Sequence, residues 1–96
     1  MATVVEGAFE WDSEKAAANV AKHGVSFPQA LVALTDVNAI ETTDVLDPSR
    51  IITVGFEPVS GLLVVVSTDV SDRTRIISAW KAEPADRRAY INNQKV

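Results

Sequence analysis

Arg73 and Arg75 stand two residues apart in the stretch RTRIISAWKAEPADRRAY, residues 73–90, which also holds Lys81, Arg87 and Arg88. A spacing of two on a β-strand puts both side chains on one face, where their guanidinium forks can grip successive phosphates bidentately. Strict alternation carries Lys81 onto the same face. Arg87 and Arg88 are expected on a following helix, with Tyr90 nearby as a stacking or hydroxyl group. His23, beside Lys22, is the chain's one histidine. Imidazole is a natural proton-transfer group, but a place just before Gly24 also gives His23 a structural task at a helix end. Cleaving an RNA phosphodiester needs a group that deprotonates the 2′-OH, cations for the developing phosphorane charge, and an acid for the leaving oxygen. Arg, Lys and Tyr can stabilise and orient, but they are poor bases. The same cations also read as the decoration of a strand edge against aggregation.

Other chemistries find less support. The chain has no cysteine, which excludes disulfides and thiolate metal sites. No His or Cys pair has metal-ligand spacing, and there is no P-loop, dinucleotide fingerprint or G-x-S-x-G turn. Neither a metal nor a cofactor is expected. Glu10 and Asp12 share a period-two face but read more simply as acids at a helix start.

Charge is unevenly spread. Residues 1–48 hold two cations against eight acids, and residues 49–96 hold seven cations against five acids, within a net charge of −4. The asymmetry points to an anionic partner for the second half, or to a mixed solvated surface. With 47% hydrophobic residues in 96, one globular domain over 1–96 is expected. The N-terminus lacks the basic and apolar regions of a secretory leader, and the run Leu62–Val66 is too short to span a bilayer. The chain reads as soluble and cytoplasmic.

The elements that must position these residues are well marked. Asp12 caps a helix rich in Ala16, Ala17, Ala18 and Ala21, and Gly24 stops it after Lys22 and His23. Ser26-Phe-Pro-Gln29 reads as a capping box for a second helix with the stripe Phe27, Ala30, Leu31, Leu34. As a DNA-reading pair these helices are weak, because the second exposes no Arg, Lys or Asn to bases. Strands are predicted over 39–43, 50–56, 62–68 and 73–81, and a last helix from Pro84 to Asn93. In the last strand, alternation places Arg73, Arg75, Ile77, Ala79 and Lys81 on one face and Thr74, Ile76, Ser78 and Trp80 on the other. The expected fold is α+β: an antiparallel sheet of about four strands, two N-terminal helices and one C-terminal helix.

Two stretches together resemble one family. FEWDSEKAAANVAKHGVSF, residues 9–27, resembles the opening of the BrnT toxins, with its F-x-W-D start, a Lys three residues on, an Asn four further, and K-H-G-V-S-F. RTRIISAWKAEPADRRAY resembles their close, with the LLVVV strand between. The resemblance implies a RelE-like fold and a metal-independent endoribonuclease that arrests translation as the toxin of a type II toxin–antitoxin pair. It implies a BrnA-like antitoxin partner, a heterotetramer around an antitoxin dimer, and contact with DNA only through the antitoxin. On this reading Arg75, Lys81 and His23 are the catalytic candidates, and Arg73, Lys22, Trp80, Arg87 and Arg88 the RNA- or phosphate-binding ones. Trp80 stands where the family usually carries an Arg, and Ser67 near a position where many members have His or Tyr. Those two residues motivate the alternative, a toxin fold without catalysis that serves as an antitoxin-binding or co-repressor module.

Overall fold

The computed structural model describes residues 2–94. Its elements are β1 (Thr3–Glu6), β2 (Phe9–Asp12), α1 (Ser13–His23), α2 (Phe27–Leu34), β3 (Ile40–Thr43), β4 (Arg50–Glu57), β5 (Gly61–Val70), β6 (Arg73–Lys81) and α3 (Pro84–Asn93). The strands form one six-stranded sheet in the order β1-β2-β6-β5-β4-β3. The α+β class stands, but the sheet has six strands rather than about four, and the two helices expected at the start follow a hairpin. The sheet is also mixed: β2 runs parallel to β6, pairing Phe9 with Thr74 and Glu10 with Arg75.

The unforeseen hairpin is locally simple. Thr3-Val-Val is β-branched, Gly7 turns the chain at φ +58°, and Phe9 and Trp11 alternate with Glu10 and Asp12. Trp11 is buried and meets Phe27 edge-on, ring centroids 6.2 Å apart. Asp12 then caps α1, its carboxylate accepting from the Lys15 N–H at 3.0 Å. Gly24, at φ +69°, ends that helix and donates to the Val20 carbonyl at 2.8 Å. Ser26 and Gln29 close the reciprocal capping box of α2.

Alternation along β5 divides two cores. Leu63 and Val65 join Trp11, Val25, Phe27, Ala30, Ala33, Ile76 and Ala79 beneath α1 and α2. Leu62 and Val64 join Val54 and Ala82 on the opposite face, where Trp80 of β6 and Tyr90 of α3 pack against them. Helix α2 lies very close to β4. A Cβ built on Gly55 would come within 2.1 Å of the Ala33 carbonyl oxygen, so only glycine permits that approach.

β6 does not alternate strictly. Val66 pairs with Ser78 but Ser67 pairs with Ile76, which leaves Ile77 as a bulge. The extra residue shifts the phase, so Ile76 and Ala79, three apart, enter the same core. The expected single face for Arg73, Arg75 and Lys81 is therefore broken. Arg75 lies beside Glu10 on the sheet face away from α1 and α2. Lys81 pairs with Leu63 and takes the helix-covered face at the strand's end.

Candidate functional site

Beyond Arg75, β2 no longer accompanies β6, and α1 lies along that edge instead. Unpaired strand groups buried under a helix would be costly. Asn19 supplies the missing neighbour. Its Oδ1 accepts from the Ala79 N–H at 3.1 Å and from the Ser78 hydroxyl at 3.2 Å. Its Nδ2 donates to the carbonyls of Ala79 and Val25, both at 2.9 Å. One side-chain amide thus satisfies both backbone groups of Ala79 and ties the segment after α1 to the same point. In sequence it is the asparagine of the opening signature, on an alanine-rich helix, and its partners lie up to 60 residues away.

This seam fixes a cleft. Lys22 and His23, in the last turn of α1, face Ser78, Trp80, Lys81 and Glu83 across a hollow of about 620 Å³. A smaller hollow of about 220 Å³ shares Lys22, His23 and Ser78 and extends the surface along α1 to Lys15. Lys15 and Lys22 are seven apart and so share a helix face. The imidazole of His23 and the indole of Trp80 lie 5.9 Å apart at 43°. Trp80 has a double attachment, because its other contacts are with the apolar cluster of Val54, Leu62, Val64 and Ala82. Lys15, Lys22 and Lys81 form no ion pair among the described residues. Their field falls on the cleft, whose six lining residues include one carboxylate, Glu83. Three cations, an imidazole, a hydroxyl and an indole can together bind a phosphate, stack a base and move a proton.

The other candidates lie elsewhere. Arg75 Nη1 donates to Glu10 Oε2 at 2.6 Å, and Arg73 Nη1 lies 3.9 Å from Glu10 Oε1. Glu10 is buried, so the carboxylate read as a helix-start acid is instead the counter-charge for both arginines. Arg87 and Arg88 are exposed on α3 and have no ion pair among the described residues. Ser67 does not approach Trp80. It is buried between Ile51 and Ile76 and lines a separate hollow with Phe9, Leu34, Glu41, Ile51, Asp69 and Thr74. No group of three His, Cys, Asp or Glu residues suited to a metal ion occurs among the described residues.

Tyr90 is a tether. Its hydroxyl donates to Asp36 Oδ2 at 2.6 Å, and the same carboxylate accepts from the N–H groups of Phe56 and Asn38, each at 2.9 Å. Burial raises the Asp36 carboxyl, but hydrogen bonds from Tyr90, Asn38 and Phe56 outweigh it and hold the group below its ordinary value. The bond to Asp36, with a smaller contribution from burial, pushes the Tyr90 hydroxyl up to about 12.

A family model described as the ribonuclease toxin BrnT of type II toxin–antitoxin systems matches residues 11–86. The chain belongs to the BrnT family. Every residue lining the cleft, from Lys22 to Glu83, lies inside the matched span, as do the hollow along α1 and the Asn19 seam. Glu10, Arg87, Arg88 and Tyr90 lie outside it. The crystal structure of the Brucella abortus ribonuclease toxin BrnT superposes with a TM-score of 0.61 at 25% identity, covering 76% of this chain and 92% of the Brucella chain. A search of curated protein sequences found no match. Among the described residues, no helix is long and apolar enough to cross a membrane.

Proposed function

We propose that this BrnT-family chain is a metal-independent endoribonuclease that arrests translation, and that the cleft between α1 and β6 is its RNA site. The convergence of Lys22, His23, Trp80 and Lys81 on one open cleft supports this reading. Lys22 and Lys81 hold the scissile phosphate and stabilise the charge that develops on it, and Lys15 extends the track for the strand. Trp80 offers a stacking platform worth about 1–3 kcal/mol per base. His23 moves a proton. Arg73 and Arg75 receive a lesser role, because Glu10 engages both and offsets one of their two charges, and they face away from Lys81.

The partner we propose is a BrnA-like antitoxin that blocks the cleft in a heterotetramer built around an antitoxin dimer. Arg87 and Arg88 are free to meet its acidic side chains or the flanking RNA. Contact with DNA comes only through the antitoxin, and the setting is the cytoplasm.

The test is expression from a tightly controlled promoter without any antitoxin, read by growth and RNA integrity. The native chain should arrest growth and leave fragmented RNA, and Lys22→Ala/Lys81→Ala should do neither while remaining folded. A native chain that leaves RNA intact, beside a Trp80→Arg variant that cleaves it, would instead identify a toxin disabled at Trp80.

A further inference from the structure

The cleft holds one group that the charge-based reading passes over. Glu83 is the sole carboxylate among its six lining residues, set among Lys22, Lys81 and His23. The backbone explains its place. Ala82 continues the ladder beyond β6, its N–H donating to the Leu62 carbonyl at 2.9 Å. Glu83 then leaves the strand as the N-cap of α3, at φ −81° and ψ 165°, with Pro84 next. The Asp86 carboxylate accepts from the Glu83 N–H at 3.0 Å and fixes that turn. His23 stands at the C-terminus of α1 and Glu83 at the N-terminus of α3, both on the one cleft.

Lysines and a tryptophan bind and stabilise but leave the 2′-OH without a base. We infer that Glu83 is the general base of the cleft and His23 its general acid. This assignment rests on the ribonuclease reading above. The Glu83 carboxylate takes the proton of the ribose 2′-OH, and the 2′ oxygen forms a bond to the adjacent phosphorus. The bond from phosphorus to the 5′ oxygen breaks, and protonated His23 gives that oxygen its proton. The products are a 2′,3′-cyclic phosphate and a 5′-hydroxyl. Glu83 ends protonated and His23 neutral, and exchange with water restores both. Lys22 and Lys81 carry the charge of the phosphorane between them.

The experiment is cleavage of a short RNA by the purified full chain and by Glu83→Gln, Glu83→Asp and Glu83→Ser. General acid–base catalysis contributes roughly 10²–10⁴-fold, so Glu83→Gln should lower kcat by at least about 100-fold. Its KM, and its affinity for the uncleavable 2′-deoxy oligonucleotide, should stay within about 3-fold of native or tighten, since a negative charge leaves a cationic cleft. Glu83→Asp should recover part of the rate. Serine is a good N-cap, so Glu83→Ser keeps the helix start but not the base, and should be as slow as Glu83→Gln. A Glu83→Ser rate near native would overturn the inference, as would a loss confined to KM. Products of the native chain lacking a 2′,3′-cyclic phosphate would also overturn it. A native chain that cleaves no RNA would overturn the ribonuclease reading and this assignment with it. A native chain that cleaves RNA no faster than Glu83→Gln overturns the assignment alone.

Discussion

Replacing Asn19 by alanine should cost more than any other polar truncation in the helix layer. The change leaves the Ala79 N–H, the Ala79 carbonyl and the Val25 carbonyl without their partner, all at buried positions. A stranded buried group costs about 1–3 kcal/mol. The hollow along α1 reaches Asn19 and gives water partial access, which favours the low end. Together the loss is about 3 kcal/mol, a large share of the 5–15 kcal/mol typical of a domain. Urea unfolding should show a lower midpoint at unchanged slope. The thermal midpoint should fall by roughly 15 °C, from about 4–8 °C per kcal/mol at this chain length. Asn19→Asp keeps the acceptor but loses both donors, so it should be at least as costly at neutral pH. Cleavage by Asn19→Ala should also drop at temperatures where it stays folded, because the same bonds set Lys22 and His23 against β6. A loss below about 1 kcal/mol with an unchanged slope would refute the idea that this amide stands in for a strand.

Other outcomes follow from the same geometry. Lys22→Ala/Lys81→Ala should reduce the dependence of log affinity on log salt by about 1.4 for single-stranded RNA, at about 0.7 for each phosphate no longer neutralised, measured with a 2′-deoxy oligonucleotide. Arg73→Ala/Arg75→Ala should leave that slope almost unchanged and lower stability instead, because Glu10 loses its counter-charges; a slope change equal to that of the lysine pair would reverse the ranking of the two sites. Gly55→Ala should destabilise by about 2 kcal/mol or more, seen in urea, because the added carbon meets the Ala33 carbonyl. In the native chain, the raised Tyr90 value favours the folded state below the ordinary pH of 10, and that share is lost as pH rises toward about 12. The lowered Asp36 value works the other way: its share is present above the ordinary 3.8 and is lost as pH falls below it. Tyr90→Phe should flatten the alkaline limb of stability against pH, measured by urea titrations from pH 9 to 12.

The helices could be read from sequence because their signals are local. Asp12, Gly24, Ser26 and Gln29 act within four residues of themselves, and each cap forms as the residue types require. The bounds of β6 follow equally from its composition. What sequence could not supply is everything set by a distant partner. The bulge at Ile77 exists only relative to β5, and without it Lys81 falls on the wrong face. Glu10 looks like a helix-start acid until β2 is laid beside β6, where it becomes the mate of Arg75. The β1–β2 hairpin did have a local signal, in β-branched residues, a glycine and alternating aromatics, but four-residue strands are short and easily taken for a lead-in to α1. Of the eight candidate residues, Lys22, His23, Trp80 and Lys81 meet on one cleft, while the four arginines lie elsewhere.

The order in which the chain is made gives the bulged strand another significance. β6 is sixth in sequence but third across the sheet, bordered on one side by β2. The cleft takes one wall from residues 22–23 and the other from residues 78–83. A nascent chain that has emerged only as far as β5 has the first wall and nothing to face it. The Asn19 amide then has no Ala79 to hold, and the edge that aligns α1 does not yet exist. A ribosome making this protein therefore works beside an unassembled cleft until Glu83 has cleared the exit tunnel.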